Sequence, residues 1–189
     1  EACAAYAQAG VPAITVWRQH VEPYGLERAA RIVKGAGLAV PALCRGGFFP
    51  AASEEEREKA IRQNEELIDT AAALKAPLIV LVCGADPEVG LEESRRQIVD
   101  GISRILPRAT EAGVKLAVEP LHPLYADTRS AVNTIEQANE ICDQINDPAL
   151  GIAVDIYHLW WDPHLKEGID RAGGADRIFA FHTCDWKYP

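Results

Sequence analysis

Short apolar runs alternate with amphipathic stretches along nearly the whole chain. Residues 13–18 (AITVWR), 38–44 (LAVPALC), 77–84 (PLIVLVCG), 115–120 (KLAVEP), 150–155 (LGIAVD) and 178–185 (IFAFHTCD) read as strands. The third run is apolar on both faces, as a parallel strand covered by helices should be. Between the runs, apolar residues recur at helical spacing. Residues 1–8 read as a helix already under way, closed by Gly10. Leu26, Ala29, Ala30 and Val33 share one face of a helix over 26–37, which Gly35 and Gly37 stop. Ser53 and Glu56 make a capping-box signature. The long helix it opens aligns Ile61, Leu67, Ile68, Ala71 and Leu74. A helix over 91–112 aligns Ile98, Ile102, Ile105 and Ala109 and ends at Gly113. Pro107 inside it predicts a kink or a break. Helices over 133–145 and 165–172 complete the pattern, the first stopped by Asp147–Pro148. RGGFFP, after the second strand, reads as a loop.

The order is one helix, then βα repeated five times, then a strand. Strict alternation with strands apolar on both faces means a parallel sheet with right-handed crossovers. Open doubly wound sheets and closed (β/α)8 barrels both satisfy this. No Gly-rich phosphate loop follows the early strands, which disfavours a dinucleotide fold. Functional-looking residues end at least five strands: Trp17–Arg18, Cys44–Arg45, Glu119, Asp155 and His182. A ring of strand ends converging on one mouth is what a barrel provides. An open sheet concentrates its site at one switch point. The expected fold is therefore a (β/α)8 TIM barrel, with residues 1–189 as a single partial domain. A complete barrel typically has about 250 residues and eight strands. The expectation is that one strand precedes Glu1 and at least one βα unit follows Pro189. An incomplete barrel exposes strand edges, near AITVWR and IFAFHTC, so this piece alone is expected to aggregate or to need a partner.

Composition narrows the setting. Nearly half of the residues are apolar and a quarter are charged, as in an ordinary globular domain. The formal net charge is −9 and no basic run stands out, so no nucleic-acid surface is expected. A span of 18 or more apolar residues is absent, so no membrane helix is expected. The first residues, EACAAYAQAG, lack the form of a signal peptide. Cys3, Cys44, Cys83, Cys142 and Cys184 are odd in number and widely spaced, without a CxxC pair. That fits reduced thiols in a cytoplasmic protein. Cys44, Cys83 and Cys184, on or after strands, read as small buried hydrophobes.

Three successive strands each deliver a good metal ligand to their C-terminal end: Glu119, Asp155 and His182. Two carboxylates and an imidazole suit one divalent ion, Mn²⁺, Mg²⁺, Co²⁺ or Zn²⁺. Such an ion polarises a carbonyl or hydroxyl, and a partly free carboxylate then takes a proton from the neighbouring carbon. The combination serves isomerisation or epimerisation of hydroxy-ketones through an enediolate. Singly, each residue has an equally good structural explanation: a polar strand end, a turn cap, a packed histidine. Together, at consecutive strand ends, they read as a site. His158, Arg18, Arg45 and His122 are candidate substrate-binding residues, with His20 and Trp160 also at the mouth and Trp17 and Trp161 as walls. Any one of these alone is equally a solvated or packed loop residue.

EPLHP, VDIYHLWW and FAFHTCDWK resemble the xylose isomerase-like TIM barrels, the sugar phosphate isomerase/epimerase family. The resemblance covers the chain from AITVWR onward. It implies a divalent metal held by Glu119, Asp155 and His182, with a fourth ligand, a Glu on the last strand, beyond Pro189. It implies that His158, in a D-x-x-H arrangement, contacts substrate oxygens. It also implies that Glu119 is one of an acid/base pair in ketose epimerases. Those epimerases often carry an Arg shortly after the metal His, where this sequence has Lys187 and Tyr188. The expected function is a divalent-metal-dependent isomerase or epimerase of a small sugar, hydroxy-ketone or polyol-derived substrate, expected as a homo-oligomer. The alternatives are an inosose dehydratase-type lyase on the same metal cage, an endonuclease IV-like repair enzyme, and a non-catalytic binding barrel. The endonuclease type needs further histidines at the early strand ends, where Arg18, Arg45 and Gly84 stand instead.

Overall fold

Six parallel strands pair strictly in chain order: β1 (Val16–Trp17), β2 (Leu43–Gly47), β3 (Leu78–Val82), β4 (Lys115–Val118), β5 (Leu150–Asp155) and β6 (Ile178–His182). The computed structural model describes residues 1–184. Asp185, Trp186 and Lys187 of the FAFHTCDWK motif, together with Tyr188, lie outside the described residues. The helices are α1 (Ala2–Gln8), α2 (Arg18–Val21), α3 (Leu26–Gly35), α4 (Glu54–Leu74), α5 (Gly90–Glu111), α6 (Ile135–Ile145), α7 (Ile156–Leu159) and α8 (Leu165–Gly174). A doubly wound sheet reverses its strand order at a switch point. Here the order runs from β1 to β6 without reversal, as in the arc of a (β/α)8 barrel.

Alternation along each strand separates the two faces. Leu43, Ile79, Leu81, Leu116, Val118, Ile152 and Val154 face a large core shared with the helices. Ile68, Ile98, Ile102, Ile105 and Ile135 supply the helical side, all fully buried. Each such side chain stabilises the fold by about 1.5–3 kcal/mol over leaving it exposed. On the opposite, inner face stand Cys44, Val80, Ala117 and Ala153, with Phe179 and Ala180 against them. The caps follow the sequence. The Oγ of Ser53 accepts from the Glu56 N–H at 3.2 Å, opening α4. The Thr134 hydroxyl accepts from the Gln137 N–H at 3.2 Å, opening α6.

Three expectations need correction. The run over 13–18 contributes only Val16 and Trp17 to the ladder, plus an isolated bridge from Ala13 to Ala39. The second strand lies further along than LAVPALC, at Leu43–Gly47, so RGG belongs to the sheet. Pro41 has no N–H to give to a ladder. Gly46 fits because a Cβ there would come within 2.9 Å of Asn64 Oδ1 and of Leu81 Cδ2. Asn64 then grips the strand end: its Oδ1 accepts from the Gly47 N–H at 2.7 Å, and its Nδ2 donates to the Gly47 carbonyl at 2.8 Å. Third, of the kink or break expected at Pro107, the break does not occur: α5 continues through it. The neighbours Leu106 and Ala109 are buried, and that packing offsets one missing backbone hydrogen bond.

Candidate metal and substrate site

The strand register itself assembles the triad. Asp155 ends β5, His182 ends β6, and the two are direct partners across the parallel ladder. Neighbouring strands lie about 4.8 Å apart. Glu119 follows β4 and continues its ladder, with its N–H donating to the Leu81 carbonyl at 3.0 Å. Two residues back on each strand, on the same inner face, stand Ala117, Ala153 and Ala180. Their small side chains leave room beneath the polar groups. One ligand atom from each of Glu119, Asp155 and His182 lies within 4.8 Å of the others. His182 Nδ1 is 3.1 Å from Glu119 Oε1 and 3.9 Å from Asp155 Oδ2. Oxygen and nitrogen ligands sit at about 2.0–2.2 Å from a divalent ion, so neighbouring ligands are roughly 3.0–3.4 Å apart. The donor set and its spacing therefore fit one such ion after a small contraction.

Each group is held from behind. Asp155 caps α7, its Oδ1 accepting from the Tyr157 N–H at 2.8 Å, which leaves Oδ2 to face His182. Its hydrogen bond with Glu119 holds the His182 pKa above the usual histidine value; burial opposes this and Asp155 assists. His158 moves the other way, lowered chiefly by burial. Its Nδ1 accepts from the His122 backbone N–H at 3.3 Å, so the neutral ring carries its proton on Nε2. Cys44 lines the floor, its pKa pushed up to about 12 by burial first and Glu119 second. A thiol so strongly protonated is a packing group, as is the fully buried Cys83. Cys184, expected to be buried, is exposed.

These groups open on a cavity of about 540 Å³. Trp17, Leu121, Arg129, His158 and Phe181 complete its walls around the triad. The other sequence candidates are elsewhere. Arg18 sits on α2, its Nε 2.8 Å from a Glu22 oxygen. Arg45 is half-buried, its guanidinium 4.9 Å from the centre of the Phe48 ring and 5.9 Å from that of Trp17. His122 supports the wall from behind, stacked with Trp160 at 6.4 Å and edge-on to Trp161 at 5.8 Å. His20 is exposed on α2. Among the lining residues that sequence reasoning missed, the charged one is Arg129. It lies in ADTRS, a turn-rich stretch without periodicity, and long-range backbone pairing with Gly84 brings it to the cavity.

A family model described as xylose isomerase-like TIM barrel matches residues 3–189. This chain belongs to the xylose isomerase-like TIM barrel family. Within the family, it is similar to the inosose isomerase of Bacillus subtilis (strain 168), 28% identical over 140 residues, which are 73% of this chain and 48% of that protein. The L-ribulose-5-phosphate 3-epimerase UlaE of Escherichia coli O157:H7 is 28% identical over 160 residues, 80% of this chain and 52% of that one. This xylose isomerase-like chain thus spans about half the length of the curated relatives it matches. Among solved structures, protein SMc04130 from Sinorhizobium meliloti 1021 superposes with a TM-score of 0.91 at 48% identity, covering 96% of this chain and 66% of that one. The relatives named for an activity are an isomerase and an epimerase.

Proposed function

We propose that the protein is a divalent-metal-dependent isomerase or epimerase of a small sugar, hydroxy-ketone or polyol-derived ketone. The observation that carries this reading is the convergence of Glu119, Asp155 and His182 at three adjacent strand ends, within 4.8 Å. The isomerase and the epimerase among its relatives support it. When bound, a divalent ion polarises a carbonyl or hydroxyl oxygen of the substrate. Glu119, Asp155 and His182 would hold it. Glu119 also takes the proton from the carbon beside that carbonyl; in isomerisation it returns the proton to the neighbouring carbon, and in epimerisation a second acid on the opposite face returns it to the same carbon. His158 offers its Nε2–H to a substrate oxygen, and its neutral ring adds no positive charge of its own beside the ion. Val80, Val82 and Leu121 present apolar wall, which limits water around the transferred proton.

The test is elemental analysis of the protein beside Asp155→Asn and His182→Ala, followed by a panel of ketoses and inososes. Near-stoichiometric Mn, Mg, Co or Zn, lost in both variants, together with isomer interconversion is the expected result. A folded protein that takes up no metal would sink the reading. Loss of water from an inosose instead of isomer exchange would favour the lyase.

A further inference from the structure

Arg129 stands apart from the strand-end triad and is built into the cavity by a different route. The loop that carries it is fastened at several points. The Gly84 N–H donates to the Arg129 carbonyl at 3.0 Å, and the Ala131 N–H donates to the Gly84 carbonyl at 2.9 Å. Asn133 Nδ2 donates to the carbonyls of Leu121 and Ser130, each at 3.0 Å. Arg95 Nε donates to the Ala131 carbonyl at 2.9 Å. Gly84, with φ of +92°, is needed at this junction, since a Cβ there would come within 2.7 Å of the Phe48 Cα. All of these ties are to backbone. The side chain of Arg129 is not required to hold the loop in place.

That side chain is half-buried and lines the cavity, with its guanidinium 5.1 Å from the centre of the Tyr125 ring. Among the described residues it has no carboxylate within ion-pair distance, although acidic residues outnumber basic ones 28 to 19. Arg104, Arg108, Arg171 and Arg177 all have such partners. A half-buried guanidinium, stacked on an aromatic face and with no counter-ion among the described residues, presents a planar donor fork to whatever enters. The matching acceptor is a pair of oxygens on one atom. Neutral sugar hydroxyls can accept from the same N–H groups but bring no charge to complement the guanidinium; a carboxylate or a phosphate ester brings both.

We propose that Arg129 makes the cavity selective for sugars bearing an oxyanion, a carboxylate or a phosphate ester, which its guanidinium binds beside the Glu119–Asp155–His182 triad. This rests on the reading of the cavity as a sugar site, and it names the substrate class. The experiment is calorimetric binding to the full-length protein, metal-loaded and metal-stripped, of three ketoses on one skeleton: D-fructose, D-fructuronate and D-fructose 6-phosphate. At least one charged sugar binds the parent about tenfold more tightly than D-fructose, the effect of one charge-assisted pair. In Arg129→Gln the ratio falls to within about twofold, whereas Arg129→Lys retains part of it. The preferred charged sugar identifies carboxylate or phosphate. Equal binding of all three by the parent, binding of none, or a ratio that survives in Arg129→Gln overturns the proposal. Metal content, measured alongside, separates the two readings. A parent without metal that keeps the Arg129-dependent preference sinks the isomerase reading alone, and a metal-loaded parent without the preference sinks only this one.

Discussion

His182 and Glu119 are 63 residues apart in the chain, and their Nδ1 and Oε1 atoms meet at 3.1 Å. In metal-stripped protein that contact makes the pair a proton trap. Because Glu119 raises the His182 pKa, the folded protein binds this proton more tightly than the unfolded chain does. The stabilisation is complete below the ordinary histidine pKa of about 6.5 and is lost as pH rises through the higher folded value. Metal-stripped protein should therefore lose thermal stability with rising pH in this window, and His182→Gln should flatten the slope. An ion needs the ring neutral, so metal affinity should rise over the same window. Melting curves across pH, with and without metal, check both directions. An unchanged slope in His182→Gln would count against the pair.

His158 should be separable from metal binding. Its ring is fixed by the His122 N–H and flanked by Tyr157 at 5.0 Å and Tyr125 at 5.8 Å. His158→Gln is expected to keep the metal and to lower kcat/KM by roughly 10²-fold, the scale of one positioned hydrogen-bonding or proton-transfer group. Metal content and steady-state kinetics on the same preparation decide it. Loss of metal along with activity would make His158 a ligand instead.

Asn64 should matter for stability out of proportion to its distance from the cavity. It is 4% exposed and bonds both polar groups of the Gly47 backbone, while its Nδ2 also reaches the Ala60 carbonyl at 2.9 Å. Asn64→Ala leaves buried backbone groups unpaired, a cost of about 1–3 kcal/mol for each one left so. A denaturant midpoint equal to that of the parent would contradict this.

Ala153 is fully buried on the inner face, one inward-facing position below Asp155. Ala153→Leu should overpack that face at a cost of about 1–3 kcal/mol. It should also weaken sugar binding more than metal binding, because the added atoms enter from the floor. Calorimetry with both ligands reads the split.

The triad was legible because each ligand closes an apolar run, and a run that ends in a carboxylate or imidazole marks a strand mouth without any three-dimensional information. The barrel arc was legible for the same reason. The second strand was misplaced because apolar content points to Leu38 and Val40. Both are buried, yet they lie before the ladder, while Gly46 enters it for want of space beside Asn64 and Leu81, and Gly47 for want of space beside the Val82 carbonyl. Steric exclusion by Asn64, 18 positions beyond Gly46, leaves no local trace. Arg129 was invisible on similar grounds. Its place depends on Gly84, and nothing in ADTRS announces that partner.

The fastening of residues 121–133 separates two kinds of heritable change. The segment closes on itself, the Leu121 N–H donating to the Val132 carbonyl at 3.0 Å, and it docks on β3 through Gly84. It behaves as a cassette with fixed ends and an exchangeable middle. The ladder from β4 to β6 carries the candidate metal ligands and tolerates no slip, since moving one residue would turn Asp155 away from His182. Grafting a relative's 122–131 stretch between the same anchors should therefore transplant preference without disturbing chemistry, a route by which one scaffold can diversify its diet while its reaction stays constant.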